Sequence, residues 1–62
     1  VRIRAIDGAI EICGADGMAA SVFSAQGIAV YNTIVEGDIM IRVVPGVYLV
    51  NVNEQAVKVI VR

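Results

Sequence analysis

The sequence predicts a small all-β domain, a two-sheet sandwich or small closed barrel of about seven short strands. Three observations predict it. Several stretches alternate apolar and polar residues at period 2, the pattern of a strand with one buried face. Gly, Asp, Asn and Pro interrupt those stretches at short, even intervals. No segment carries a helical period, and short, evenly spaced strands of this kind build sandwiches and barrels.

The chain opens on Val1 to Ala5, where Val1, Ile3 and Ala5 share one face and Arg2 and Arg4 the other. Asp7-Gly8 between apolar runs signals a hairpin. Ala9 to Cys13 is then the second strand, with Ile10 and Ile12 opposed to Glu11. In a suitable register Glu11 meets Arg2 or Arg4, an exposed pair worth a few tenths of a kcal/mol. Gly14 to Gly17 turns the chain again. Met18 to Ser24 has helix-compatible alanines, but seven residues bounded by Gly17 and Gly27 favour a strand. Its Ala20 and Val22 point inward and Phe23 outward. Ser24 to Gly27 is a turn, and Ile28 to Thr33 returns.

Glu36, Gly37 and Asp38 break the chain before Ile39 to Val43, with Ile39, Ile41 and Val43 on one face and Met40 and Arg42 on the other. Pro45 is acceptable at a strand entry but not within a central ladder. Val47 to Val52 follows, Asn53, Glu54 and Gln55 form a polar turn, and Ala56 to Arg62 runs back. An isolated hairpin is marginal in water, so the rest of the chain must cover this one. Alternation assigns Tyr48, Val50, Val52, Val57, Val59 and Val61 to the core.

Composition narrows the function classes. Sixty-two residues make one domain, 1–62, and a 58% apolar share is high for so much surface per volume. Some apolar side chains must therefore be exposed or lie in an interface. Strands at the two ends of the chain are expected to leave sheet edges open to strand addition, giving a possible homo-oligomer. No run approaches the roughly 18 residues of a membrane span, Arg42 and Pro45 interrupting the most apolar one. A net charge of −1 offers no field for nucleic acid. A chain that begins at Val1 with no signal peptide reads as a mature fragment or an excised domain.

The candidate sites are few. With no histidine, Ser-His-Asp and Cys-His nucleophile systems are ruled out, and the single Cys13 rules out an internal disulfide. Cys13, ending an apolar strand, reads as a small filler rather than a reactive thiol. Asp7, Asp16, Glu36 and Asp38 read as turn residues that accept local backbone hydrogen bonds, since no Asp-x-Asp-x-Asp-Gly loop exists. Tyr48 reads as core; Tyr31 is open between core and a surface platform. No catalytic residue, cofactor site or metal site is expected.

One stretch carries a resemblance. Pro45-Gly-Val-Tyr-Leu-Val-Asn-Val52, a polar turn, and then Val57-Lys-Val-Ile-Val61 at the chain end resemble the C-terminal sorting domains of the type IX secretion system. They are also similar to a related group of uncharacterised C-terminal β-domains on large surface proteins. The middle hairpin, with its turn glycine at Gly27, fits the first group; Gly8-x-Ile-x-Ile-x-Gly-Ala-x-Gly17 is closer to the second. The sorting domains usually open with a Pro- and Asn-containing entry to the first strand, whereas the sequence here starts directly at Val1-Arg2-Ile3, either because the entry was trimmed or because the chain belongs to the second group.

The resemblance implies a small immunoglobulin-like Greek-key sandwich, with Gly27, Gly46, Tyr48 and Lys58 as family-like structural positions. It implies a non-catalytic sorting or surface-attachment domain of a secreted or cell-surface protein, exported through the periplasm of a Gram-negative bacterium. The partners are then the secretion machinery or neighbouring domains of the parent protein. Lys58, Ile60 and Arg62, displayed together on the last strand, form the expected recognition face.

Overall fold

The computed structural model spans Val1–Arg62 and contains seven strands and no helix. They are β1 (Arg2–Ile6), β2 (Ala9–Cys13), β3 (Ala19–Ser24), β4 (Ala29–Ile34), β5 (Ile39–Arg42), β6 (Gly46–Val52) and β7 (Gln55–Val61). All pairings are antiparallel. One sheet has the order β1-β2-β5 and the other β4-β3-β6-β7. The order is compatible with an immunoglobulin-like sandwich in which the fourth strand pairs with the third instead of the fifth. Most predicted strand limits move by one residue: Val1, Met18, Ile28, Val43 and Arg62 lie outside the ladders, while Ile6, Ile34, Gly46 and Gln55 join them. The second strand matches its expected limits.

The core lies where the inner faces meet. Ile10, Ile12 and Ile41 come from the first sheet; Ala20, Val22, Tyr48, Val50, Val52, Val59 and Val61 come from the second. Alternation is why they coincide. Val22, Val50 and Val57 stand opposite one another across three strands, as do Ser24, Tyr48 and Val59. Glu11 lies directly across from Arg4 on the outer face, with Arg4 Nε donating to Glu11 Oε1 at 2.7 Å.

Val57 departs from expectation. It occupies the inner face of β7 yet is 37% exposed, whereas Val59 is 8% and Val61 2% exposed. The gradient has a cause at the far end of the strand. The Gly8 amide donates to the Arg62 carbonyl at 2.9 Å, tying the end of β7 to the β1–β2 turn. Cover from the first sheet is therefore best at Val61 and falls away toward the β6–β7 hairpin.

Each end of the sandwich has its own fastening. At one end Gly8 also accepts from the Val43 amide at 3.1 Å, so one turn joins three strand ends. At the other, the two connections that change sheets hold each other. Asp16 Oδ1 accepts from the Gly37 amide at 2.7 Å, and Asp38 Oδ1 accepts from the Gly14 amide at 3.2 Å. Gly17 N–H to Val35 O and Val35 N–H to Met18 O complete the clasp. It seals Ala15 and Val35 almost completely from water. Asp16 and Asp38 thus accept backbone hydrogen bonds as expected of turn aspartates, but not locally: the donors lie 21 and 24 residues away.

The β6–β7 hairpin is tighter than the expected three-residue turn. Val52 pairs with Gln55, leaving only Asn53 and Glu54 in the loop, with φ of 49° and 67°. Two left-handed residues match the right-handed twist of a hairpin. Asn tolerates that region, but Glu pays about 1 kcal/mol for its Cβ.

Two outcomes are expected. Val50→Asp places an unpaired carboxylate at the centre of the sandwich and should cost at least about 4 kcal/mol, most of the stability of such a domain. A thermal melt within a degree or two of the parent would contradict the core described above. Glu54→Gly relieves the left-handed strain, partly offset by about 0.4–1 kcal/mol of extra freedom in the unfolded chain. The balance, about 0–0.6 kcal/mol, should leave the melting temperature unchanged or raise it by up to about 4 °C, and a lower one would contradict the turn geometry.

Candidate functional site

β7 is an edge strand, paired only with β6. Its outward positions carry Lys58 and Ile60, both exposed, Ile60 at 61%, and Arg62 follows the strand's last ladder residue. These three do not stand alone. Lys58 lies across from Leu49, and Leu49 from Phe23, so one row crosses β7, β6 and β3. The adjacent row sets Ile60 against Val47. The outer face of the second sheet therefore presents Phe23, Val47, Leu49 and Ile60 as one apolar patch with a lysine at its border.

The relief of this face divides the expected trio. Lys58 borders an open depression of about 410 Å³, floored by Phe23, Val47 and Leu49 and closed at one end by the Ser24–Gly27 turn. Ile60 and Arg62 line a different hollow of about 360 Å³, shared with Ala5, Ile6 and Asp7 from the β1–β2 hairpin. Lys58 and Arg62 make no ion pair, since Arg4–Glu11 is the only one in the chain. Phe23, Val47 and Leu49 were missed as site residues from sequence alone. The signal was present in the alternation, which puts all three on the face turned away from the core.

The family-like positions take different roles. Gly27 sits at φ 84° in the β3–β4 turn, a conformation that favours glycine, and its amide donates to the Ser24 carbonyl at 2.9 Å. Gly46 has no such requirement, because an added Cβ would meet the Tyr48 ring at 3.7 Å, an ordinary contact. Tyr48 is buried at the start of β6, and its hydroxyl donates to the Val44 carbonyl at 2.6 Å. A tyrosine at this point of a sandwich, bonded back to the backbone just upstream, is a tyrosine corner. It holds the crossing from β5 to β6 against the core. Sequence reasoning placed the ring inside but missed the bond, which depends on where the Val43–Pro45 connection turns.

Cys13 is half-buried at the end of β2, across from Arg2. Loss of solvent pushes its thiol up, Asp38 and Glu11 push it further, and Arg2 and Arg4 pull it partly back. It is thus protonated at neutral pH, unlike an activated thiolate. No three Cys, Asp or Glu side chains converge. Tyr31 lies on β4 opposite Val22 and is 43% exposed. No family model matches the chain, and no similar curated protein or solved structure was found.

The tyrosine corner yields a direct test. Tyr48→Phe keeps the ring but removes the donor to Val44, and should cost about 1 kcal/mol, or roughly 4–8 °C in melting temperature. An unchanged melt would show that the bond adds nothing to the β5–β6 crossing.

Proposed function

We propose that this chain is a non-catalytic recognition domain of a larger secreted or surface protein, and that its docking surface is the outer face of β7, β6 and β3. The role implied by the resemblance is a sorting signal read by type IX secretion machinery. One observation supports a docking role above the rest. Phe23, Val47, Leu49 and Ile60 face outward together on a sheet whose opposite side supplies most of the core. Such a patch contributes nothing to the core, and contiguous exposed apolar surface marks a contact site. Because Leu49 and Val47 sit on the central strand β6, the partner meets a rigid surface and loses little binding energy to ordering it. Lys58 at the border supplies orientation more than affinity.

A second reading keeps the surface and changes the partner: a structural or adhesive module that packs against neighbouring domains of the same parent. The depth of the face favours neither partner.

The experiment fuses the domain to a carrier and expresses it in a host that has the secretion machinery. The intact fusion should reach the cell surface, and Leu49→Ser with Lys58→Ser should hold it in the periplasm. The double variant should still fold, since exposed substitutions shift stability by about 0.5 kcal/mol each. An intact fusion that stays periplasmic removes the sorting role. Retained binding of neighbouring parent domains, lost in the same variant, would then establish the second reading.

A further inference from the structure

The four sheet edges differ in one respect. β1 carries Arg2 and Arg4; β5 is four residues long and carries Arg42; β7 carries Lys58. Charged or short edges of this kind resist pairing with another chain. β4 has neither protection. From Gly17 to Val35 the sequence contains no charged residue and no proline, and β4 itself reads AVYNTI. It is also the most exposed strand, with Val30, Tyr31 and Ile34 open at 47%, 43% and 60%. A bulge opposite Val22 and Phe23 disturbs one end only, so Tyr31 to Ile34 remain in regular register with β3.

The free hydrogen-bonding groups of β4 can be located. Val35 donates to Met18 and accepts from Gly17, so it points toward the β3 side. Alternation then directs Thr33 and Tyr31 to β3, leaving the amide and carbonyl of Asn32 and the amide of Ile34 free and outward; the Ile34 carbonyl also turns outward and accepts from the Thr33 hydroxyl at 3.2 Å, a rotatable group that a pairing strand would displace. We infer that β4 pairs antiparallel with β4 of a second copy, about a twofold axis at Asn32.

That axis sets Asn32 against its own counterpart and Tyr31 against Thr33, and brings the bulge residue Val30 nearest Ile34 at the irregular end of each strand. Each residue keeps its face, so no side chain is forced through the sheet. The absence of charge makes the strand its own match, with none of the like-charge repulsion that β7 would meet against a second β7. Twofold pairing also closes: both β4 edges are used, and the eight-stranded sheet ends on two β7 strands protected by Lys58. Tyr31, uncovered in the single chain, then gains a neighbour on its open side. The buried area is modest, on the order of 800 Å² in all, below the roughly 1,200 Å² of stable interfaces. A weak dimer follows, half-formed at a few hundred micromolar or about that. The β4 edge lies at the opposite side of the sheet from Lys58, Ile60 and Arg62, and its pairing uses backbone groups that the outward side chains of β7, β6 and β3 do not.

Sedimentation equilibrium from about 20 μM to 2 mM tests the inference. The apparent mass should rise from the 6.5 kDa of one chain toward twice that value and stop there. Ile34→Lys, which adds the missing charge at an exposed position, should remain a monomer throughout with a melting temperature within about 2 °C of the parent. In a Cys13→Ala background, Asn32→Cys should oxidise to a covalent dimer. Its Cα atoms would stand about 5.5 Å apart, within disulfide range. Asn51→Cys on the central strand β6 should not. A monomer at 2 mM overturns the inference, as does a dimer that survives Ile34→Lys. Equal cross-linking at positions 32 and 51, or mass rising without limit, overturns the twofold β4 pairing.

Discussion

The fold depends on burying one face of one strand. β6 is hydrogen-bonded on both sides, by β3 and β7, and contributes Tyr48, Val50 and Val52 to the interior. Every fastening outside the ladders acts to bring cover over these three. The tyrosine corner sets the angle at which β6 enters. Gly8 joins the ends of β5 and β7 to the β1–β2 turn, drawing the smaller sheet over the larger. The Asp16–Asp38 clasp does the same at the other end, and closes the loops around Ala15 and Val35. A domain this small has no second layer of core to absorb a gap, so strand-end hydrogen bonds decide whether the sheets stay in register.

Which residues form strands, and which face of each strand is buried, was legible because both follow from period 2 and from local turn chemistry. Asp7-Gly8 marks a hairpin whether or not the rest of the chain is known. Val57 shows where that reasoning stops. Its place on the inner face is a local property, but its burial depends on how far β1 and the Arg62–Gly8 bond extend along β7. Sheet order was not legible for the same reason. The pairing of β2 with β5, and of β3 with β6, joins segments separated by two other strands. Nothing in either segment names its partner. The Asp16 and Asp38 bonds belong to this class too: the turn residues were readable, and their acceptors' partners were not.

The candidate site was half legible. Lys58, Ile60 and Arg62 were found from the alternation of the last strand, but a surface is assembled across strands. Phe23 joins Leu49 and Lys58 only once the register of β3 on β6 and β6 on β7 is known. The same registers separate Arg62 from Lys58, which no reading of β7 alone could do.

Within the apolar excess noted in the composition, three populations have different physical meanings. The first fills the sandwich and is required by it. The second, Val47, Leu49, Phe23 and Ile60, lies on the back of the larger sheet, and all but Ile60 stand on β3 and β6, which are paired on both sides and leave only side chains to be satisfied. A partner there must bring side chains, so shape and charge at the border decide selectivity. The third lies along β4, where backbone groups are also unpaired. A partner there must bring a strand, and selectivity comes from register. The two surfaces meet at β3, whose Phe23 borders β4, yet they make different demands: the alternation that packs Val22 and Val50 inward turns Leu49 and Phe23 outward as side chains, while the unpaired edge of β4 offers backbone.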